Sequence, residues 1–156
     1  RFLLHVKIDY PSTGSERKIL ELSRDEKNSK IKAFENPLTQ SQLNKARAAV
    51  REVRMSEQVE EYLVQIILAT RNSDKYGGNL SDWLEFGASP RATIALDICS
   101  KSLAWLDNRN FVTPDDIRSI AHDVLRHRLI LSFEAEANGI SSDQVVDELL
   151  KVVPSA

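Results

Sequence analysis

The stretch from Phe86 to Asn108 constrains the fold more than any other part of the chain. It opens Phe-Gly-Ala-Ser-Pro-Arg-Ala and continues as a helix-forming segment with apolar residues on almost every side. Ile94, Ala95, Ile98, Cys99, Leu103, Trp105 and Leu106 cover more than one face, and Ala92, Leu96 and Ala104 fill others. A helix apolar nearly all round is surrounded by other elements, so this one is expected to be the central rod of a bundle. Ser89 can cap it, its hydroxyl accepting from an amide of the first turn. Pro90 suits the first helical position, where an N–H would have no partner. Arg91 follows in the opening turn. There free amides, the positive end of the helix dipole and a guanidinium converge, which suits a phosphate or a carboxylate. On these residues alone, a solvated or salt-bridged arginine is the commoner outcome.

In front of the rod, Phe2 to Tyr10 alternates in part, is rich in β-branched and aromatic residues, and stops at Pro11-Ser12-Thr13-Gly14. It reads as a strand. A strand followed only by helices is an orphan, since its backbone groups need partners, so its sheet is expected upstream. The opening Arg1-Phe2, without an initiator methionine, fits a piece cut from a longer polypeptide. Residues 15–26 form a short amphipathic helix with Ile19 and Leu22 expected inward, and Lys27 to Asn36 is a polar linker.

From Pro37 the pattern is helical. Thr39 and Gln42 have capping-box spacing with Leu38 and Leu43 as the staple, ahead of Ala46, Val50 and Val53. Arg54-Met55-Ser56 breaks the phase. A second helix then carries Val59, Tyr62, Leu63, Ile66, Ile67 and Thr70 inward. Asn72 to Asn79 is a loop, and Leu80 to Phe86 a short apolar connection bearing Trp83. Beyond the rod, Val112-Thr113-Pro114-Asp115-Asp116-Ile117 specifies a helix start with cap, proline, acids and staple. Its buried stripe is Ile117, Ile120, Ala121, Val124 and Leu125. Leu129 to Phe133 has no clear period, and a last helix opens at Ser141 with Val146, Leu149 and Leu150 inward.

With 42% apolar and 28% charged residues, the 156-residue chain is of ordinary globular composition. A net charge of −2 argues against nucleic acid or an anionic membrane as partner. No apolar run approaches the roughly 20 residues of a membrane span, no secretory signal is visible, and a cytoplasmic protein is the default. His122 and His127 are five apart, not stacked on one helical face, and no cysteine stands near, so no metal site is expected. Asp115 and Asp116 are explained by the cap, Tyr62 and Cys99 by packing, and Arg126-His127-Arg128 as a solvated helix end. There is no G-x-x-x-x-G-K-[ST] loop or G-x-G-x-x-G turn, so this chain alone carries no complete nucleotide site.

The Gly87-Ala88-Ser89-Pro90-Arg91-Ala92 string resembles the lid motif of the MoxR-type AAA+ ATPases. Arg1-Phe2, Tyr10-Pro11-Ser12, Ala69-Thr70-Arg71, residues 112–117, Leu125-Arg126-His127-Arg128-Leu129 and the tail to Pro154 are similar to other parts of that family. The resemblance implies a mainly α fold: a helical lid of AAA+ type over residues 37–156, preceded by residues 1–36 from the end of an α/β core, with its orphan strand. It implies that Arg91 is the sensor 2 arginine, with Ser89 and Ala92 beside the nucleotide, and that Arg1 resembles the finger acting on a neighbouring subunit. ATP and Mg2+ are then cofactors of the full-length protein, and none is expected to be bound by this piece, which should not hydrolyse ATP alone. The resemblance further implies a homo-oligomeric ring, expected to be hexameric. It implies a chaperone-like role in maturing client enzyme complexes, with von Willebrand factor A-domain proteins as partners. The competing expectations are a free-standing helical protein-interaction module without nucleotide and, disfavoured by charge, a DNA-binding domain.

Overall fold

The computed structural model describes residues 2–26 and 36–155. Helix α1 spans Thr13–Glu26, α2 Gln40–Arg51 and α3 Glu57–Arg71, the last closed by a 3-10 turn at Ser73–Lys75. A short α4 (Leu80–Trp83) leads into strand β1 (Leu84–Phe86) and then α5 (Pro90–Leu106). After it come α6 (Pro114–Leu125), strand β2 (Ile130–Leu131), α7 (Phe133–Ala137) and α8 (Ser142–Val152). The fold is mainly α, as expected, with one two-stranded sheet.

The core sits where the periodic stripes meet. Leu63, Ile66 and Ile67 of α3, Leu96 of α5, Ile117 and Leu125 of α6, and Leu149 of α8 are all fully enclosed. Each such side chain contributes about 1.5–3 kcal/mol of transfer free energy, which is what ties four helices of different phase into one body. The caps of α2, α3 and α8 obey their sequence signals. Thr39 and Gln42 form a reciprocal capping box on α2, and Ser141 and Gln144 do the same on α8. The Ser56 hydroxyl accepts the Val59 amide at 3.4 Å where the phase breaks.

Several expectations are corrected. Residues 2–12 form no strand. With no neighbouring strand to pair with, their backbone groups turn to the helices instead: His5 N–H donates to the Asp123 carbonyl at 2.7 Å. Helix α1 is present but Ile19, Leu20 and Leu22 are half or more exposed, so its apolar face is not turned inward against the bundle. The linker expected at 27–36 lies, apart from Asn36, outside the described residues. The rod α5 is not enclosed on all sides either. Ala92, Ala95, Leu96, Cys99 and Ala104 face the core, whereas Ile94 and Leu106 stay 60% and 67% exposed. Helix α2, which has no fully buried residue, lies along this side and leaves a groove lined by Val50, Ile98, Lys101 and Trp105. Leu38 likewise remains 80% exposed, so the staple before α2 is open.

The apolar residues around 84 and 129, ambiguous in sequence, resolve each other. Leu84 pairs with Leu131 and Phe86 with Ile130, antiparallel, with an irregularity between Leu84 and Phe86. Ser132 closes this ribbon: its amide donates to the Trp83 carbonyl at 2.9 Å and its hydroxyl to the Asp82 carbonyl at 2.6 Å. This pairing delivers Gly87 and the start of α5 to the end of α3.

Candidate functional site

The residues Gly87 to Arg91 turn the chain from β1 into α5 against the last turn of α3. Thr70 is 2% exposed and governs that contact. Its hydroxyl donates to the Ile67 carbonyl at 2.7 Å and accepts the Ala88 amide at 2.9 Å. Arg71 Nε donates to the Ala88 carbonyl at 2.7 Å. Both polar groups of the Ala88 peptide unit are thereby satisfied from one helix end, as a buried backbone requires. Gly87 makes the approach feasible: a Cβ there would lie 2.2 Å from the Thr70 carbonyl oxygen.

This buttress holds an open helix start. Ser89 has the extended backbone of an N-cap, φ −72° and ψ 167°, yet its hydroxyl makes no capping bond, contrary to the expectation. Its carbonyl instead accepts the Ala92 amide at 2.8 Å in a tight first turn. Ala92 was expected beside a ligand, but its methyl group is fully buried and its amide is already engaged. Arg91 lies on the outer side. It is exposed, and its guanidinium has no hydrogen-bond or ion-pair partner among the described residues. The Ser89 hydroxyl and the Arg91 side chain are the groups left available at a dipole-positive end. Arg1 lies outside the described residues.

Arg109, in the loop after α5, is occupied instead. Arg109 makes a bidentate bridge to Asp116, Nη1 to Oδ2 at 2.7 Å and Nη2 to Oδ1 at 2.6 Å, and Nη2 also reaches Asp107 at 3.1 Å. Asp116 further accepts the amide and the hydroxyl of Thr113 at 2.7 and 2.9 Å. Burial pushes the Asp116 carboxyl up, but the Arg109 and Thr113 bonds outweigh it and hold the group below the ordinary carboxylate range. Asp116 is therefore a structural acid, consistent with a capping role.

The expectation of a solvated Arg126-His127-Arg128 is corrected. Arg126 Nε donates to Asp143 at 2.8 Å, and its Nη1 to Asp123 and to the His5 carbonyl, both at 2.6 Å. Arg128 Nε donates to the Val124 carbonyl at 2.9 Å and its Nη2 to the Phe2 carbonyl at 2.7 Å. The His127 ring stands edge-on to that of His5, centroids 5.8 Å apart. Burial first, then the Arg128 charge, lowers the His127 pKa, with a bond to the Phe2 backbone opposing. Sequence spacing could not show the contacts to Phe2 and His5, because those partners lie more than a hundred residues away. Thr70 did leave a signal: a hydroxyl within an apolar stripe needs a buried partner.

Residues 81–149 match the AAA lid domain family. The chain is 32% identical to Chaperone MoxR1 of Mycobacterium tuberculosis, over 98% of this chain and 40% of that protein. It is also 32% identical to YeaC of Bacillus subtilis, over 98% of this chain and 45% of the relative. A crystal structure of a candidate ATPase from Cytophaga hutchinsonii superposes with a TM-score of 0.87 at 31% identity, covering all of this chain and 47% of the other. The chain belongs to the MoxR family of AAA+ ATPases. It spans less than half the length of these relatives and corresponds to their lid-bearing region. Within such a lid, the buttressed start of α5 faces outward with unspent hydrogen-bonding capacity at Ser89 and Arg91 among the described residues. No helix among the described residues is long and apolar enough to cross a membrane.

Proposed function

We propose that the full-length protein is a magnesium-dependent ATPase and that this chain supplies its lid, with Arg91 as the sensor 2 arginine. The observation that carries the reading is the state of Arg91: an exposed guanidinium, without a partner among the described residues, on a helix start held by buried Thr70. Such a group fits a terminal phosphate, because a planar bidentate donor matches phosphate oxygens and strengthens as their charge grows. The Ser89 hydroxyl is a second donor beside it. The described residues contain no cluster of His, Cys, Asp or Glu suited to a metal, so magnesium is assigned to residues elsewhere in the full-length protein. ATP supplies the phosphoryl group; this chain orients one side of it and registers its presence. Rigid anchoring matters here, because Arg91 can report phosphate loss only if the helix that carries it moves as one piece with the lid.

Arg1 is proposed as the finger toward a neighbouring subunit, which requires a ring; AAA+ membership is compatible with one, and a hexamer is the arrangement proposed. The chaperone-like role, with client enzyme complexes and von Willebrand factor A-domain proteins as partners, takes its support from the description of the M. tuberculosis relative as a chaperone. A cytoplasmic location accompanies that role. The free-standing interaction module is not favoured, since nearly the whole chain aligns within longer relatives. The test is Arg91→Ala in the full-length protein. ATP hydrolysis should fall while helical content is retained; unchanged turnover rejects the sensor role.

A further inference from the structure

Residues 2–7 are gripped by the lid through their backbone. Three carbonyls receive arginine donors: Phe2 and Leu3 from Arg128 Nη2 at 2.7 and 3.4 Å, and His5 from Arg126 Nη1 at 2.6 Å. In return the His5 amide donates to the Asp123 carbonyl, Lys7 Nζ stands 3.9 Å from Asp143, and the His5 ring meets His127. The clamp is itself prepared. Arg126 is only 13% exposed on its side chain, and Asp123 and Asp143 hold it in place and offset its charge. Arg128 is pinned to the end of α6 through Val124. Two preset guanidinium groups thus hold the segment through charge-assisted bonds to its carbonyls.

His5 and Lys7 face the lid, whereas the apolar side chains of the segment and of the residues just after it are exposed. Phe2, Val6, Ile8 and Tyr10 are 83%, 59%, 88% and 99% exposed. One edge is fastened to the lid, and an apolar edge is offered to whatever body adjoins it. We propose that Arg126 and Arg128 are positioning residues that couple residues 2–7 to movements of the lid. The inference rests on the nucleotide-driven lid proposed above. It adds that a change sensed at Arg91, at the head of α5, is delivered at the far end of α6 to the backbone of residues 2–7.

The experiment uses the full-length protein with nitroxide labels on cysteines at Asp9 and Glu136, both exposed, in a Cys99→Ser background. Label distance, affinity for a fluorescent ATP analogue and ATP turnover are compared with and without Arg126→Ala/Arg128→Ala. Coupling predicts a narrow distance distribution that broadens in the variant. It predicts affinity within about twofold of the parent and turnover reduced on the order of tenfold or more, the scale expected of slight misplacement. A distribution that stays narrow shows that the arginines do not hold the segment, and unchanged turnover despite broadening shows that the grip transmits nothing. Either result overturns the proposal. If the double variant loses helical content, Arg128→Gln alone, which leaves the Arg126–Asp143 pair, decides by the same readouts. Arg91→Ala runs in parallel: unchanged turnover there rejects the sensor reading, and the label distance still judges the clamp.

Discussion

The Thr70 hydroxyl accepts the Ala88 amide at 2.9 Å while giving its own proton to the Ile67 carbonyl, so the end of α3 and the start of α5 share one buried side chain. Thr70→Val keeps the shape and removes both bonds, leaving the Ala88 amide buried and unpaired. The expected loss is about 1–3 kcal/mol, read as a lower urea midpoint with an unchanged m-value. Gly87→Ala acts on the same contact from the other side. Its methyl would meet the Thr70 carbonyl carbon and oxygen at 2.5 and 2.2 Å. Backbone must shift to admit it, so a comparable or larger loss is expected.

Arg91→Ala separates chemistry from folding. The side chain is exposed and makes no hydrogen bond or ion pair among the described residues, so stability should change by less than about 0.5 kcal/mol. Hydrolysis by the full-length protein should drop on the order of a hundredfold, as when one preorganised donor to a developing charge is lost. Arg91→Lys should recover little, because an ammonium lacks the planar fork. Steady-state turnover beside a denaturation curve checks both halves.

The Arg109–Asp116 bridge predicts a pH signature. Asp116 is held below its ordinary value of 3.8, so its folded pKa is depressed relative to the unfolded chain. The unfolded state then binds more protons as acid is added. Stability from this group is fully present above the ordinary value and is lost as pH falls through the depressed one. Asp116→Asn should therefore be less stable than the parent near pH 7, with the gap closing below about pH 3.8. Denaturant midpoints of both proteins across that range give the comparison.

What could be read in advance followed local physics. The inward stripe of α3 and the starts of α2, α6 and α8 were legible because caps, staples and helical period act within a few residues. The string at residues 87–92 was legible in another way, by its resemblance to the lid motif of a known family. Contacts that span the chain were not. Phe2 to Tyr10 has the composition of a strand, but pairing decides strand formation, and here two arginines from beyond residue 125 took the carbonyls. Leu84–Phe86 carried too few residues to announce a strand until Ile130–Leu131 was known to lie beside it. The apolar girth of α5 overstated its burial, since periodicity reports what a face could bury and not what covers it.

Helix α1 supplies the remaining prediction. It is 14 residues long, and its apolar side chains Ile19, Leu20 and Leu22 remain 51%, 52% and 61% exposed. Isolated helices of that length are marginal in water, since nucleation is costly and propagation gains little per residue. Tertiary packing normally makes up the difference, and α1 receives little of it from the bundle. In this 156-residue chain, amides of residues 17–25 should therefore exchange with deuterium far faster than those of α3 or α5, whose opening requires breaking the core. Placed in the full-length protein, the same amides should slow once a neighbouring body covers Ile19 and Leu22. Equal exchange of α1 in the two proteins would show that its apolar face stays open, and protection in the short chain that it is stable unaided. Mass-spectrometric exchange on both, at one pH and temperature, makes the comparison direct.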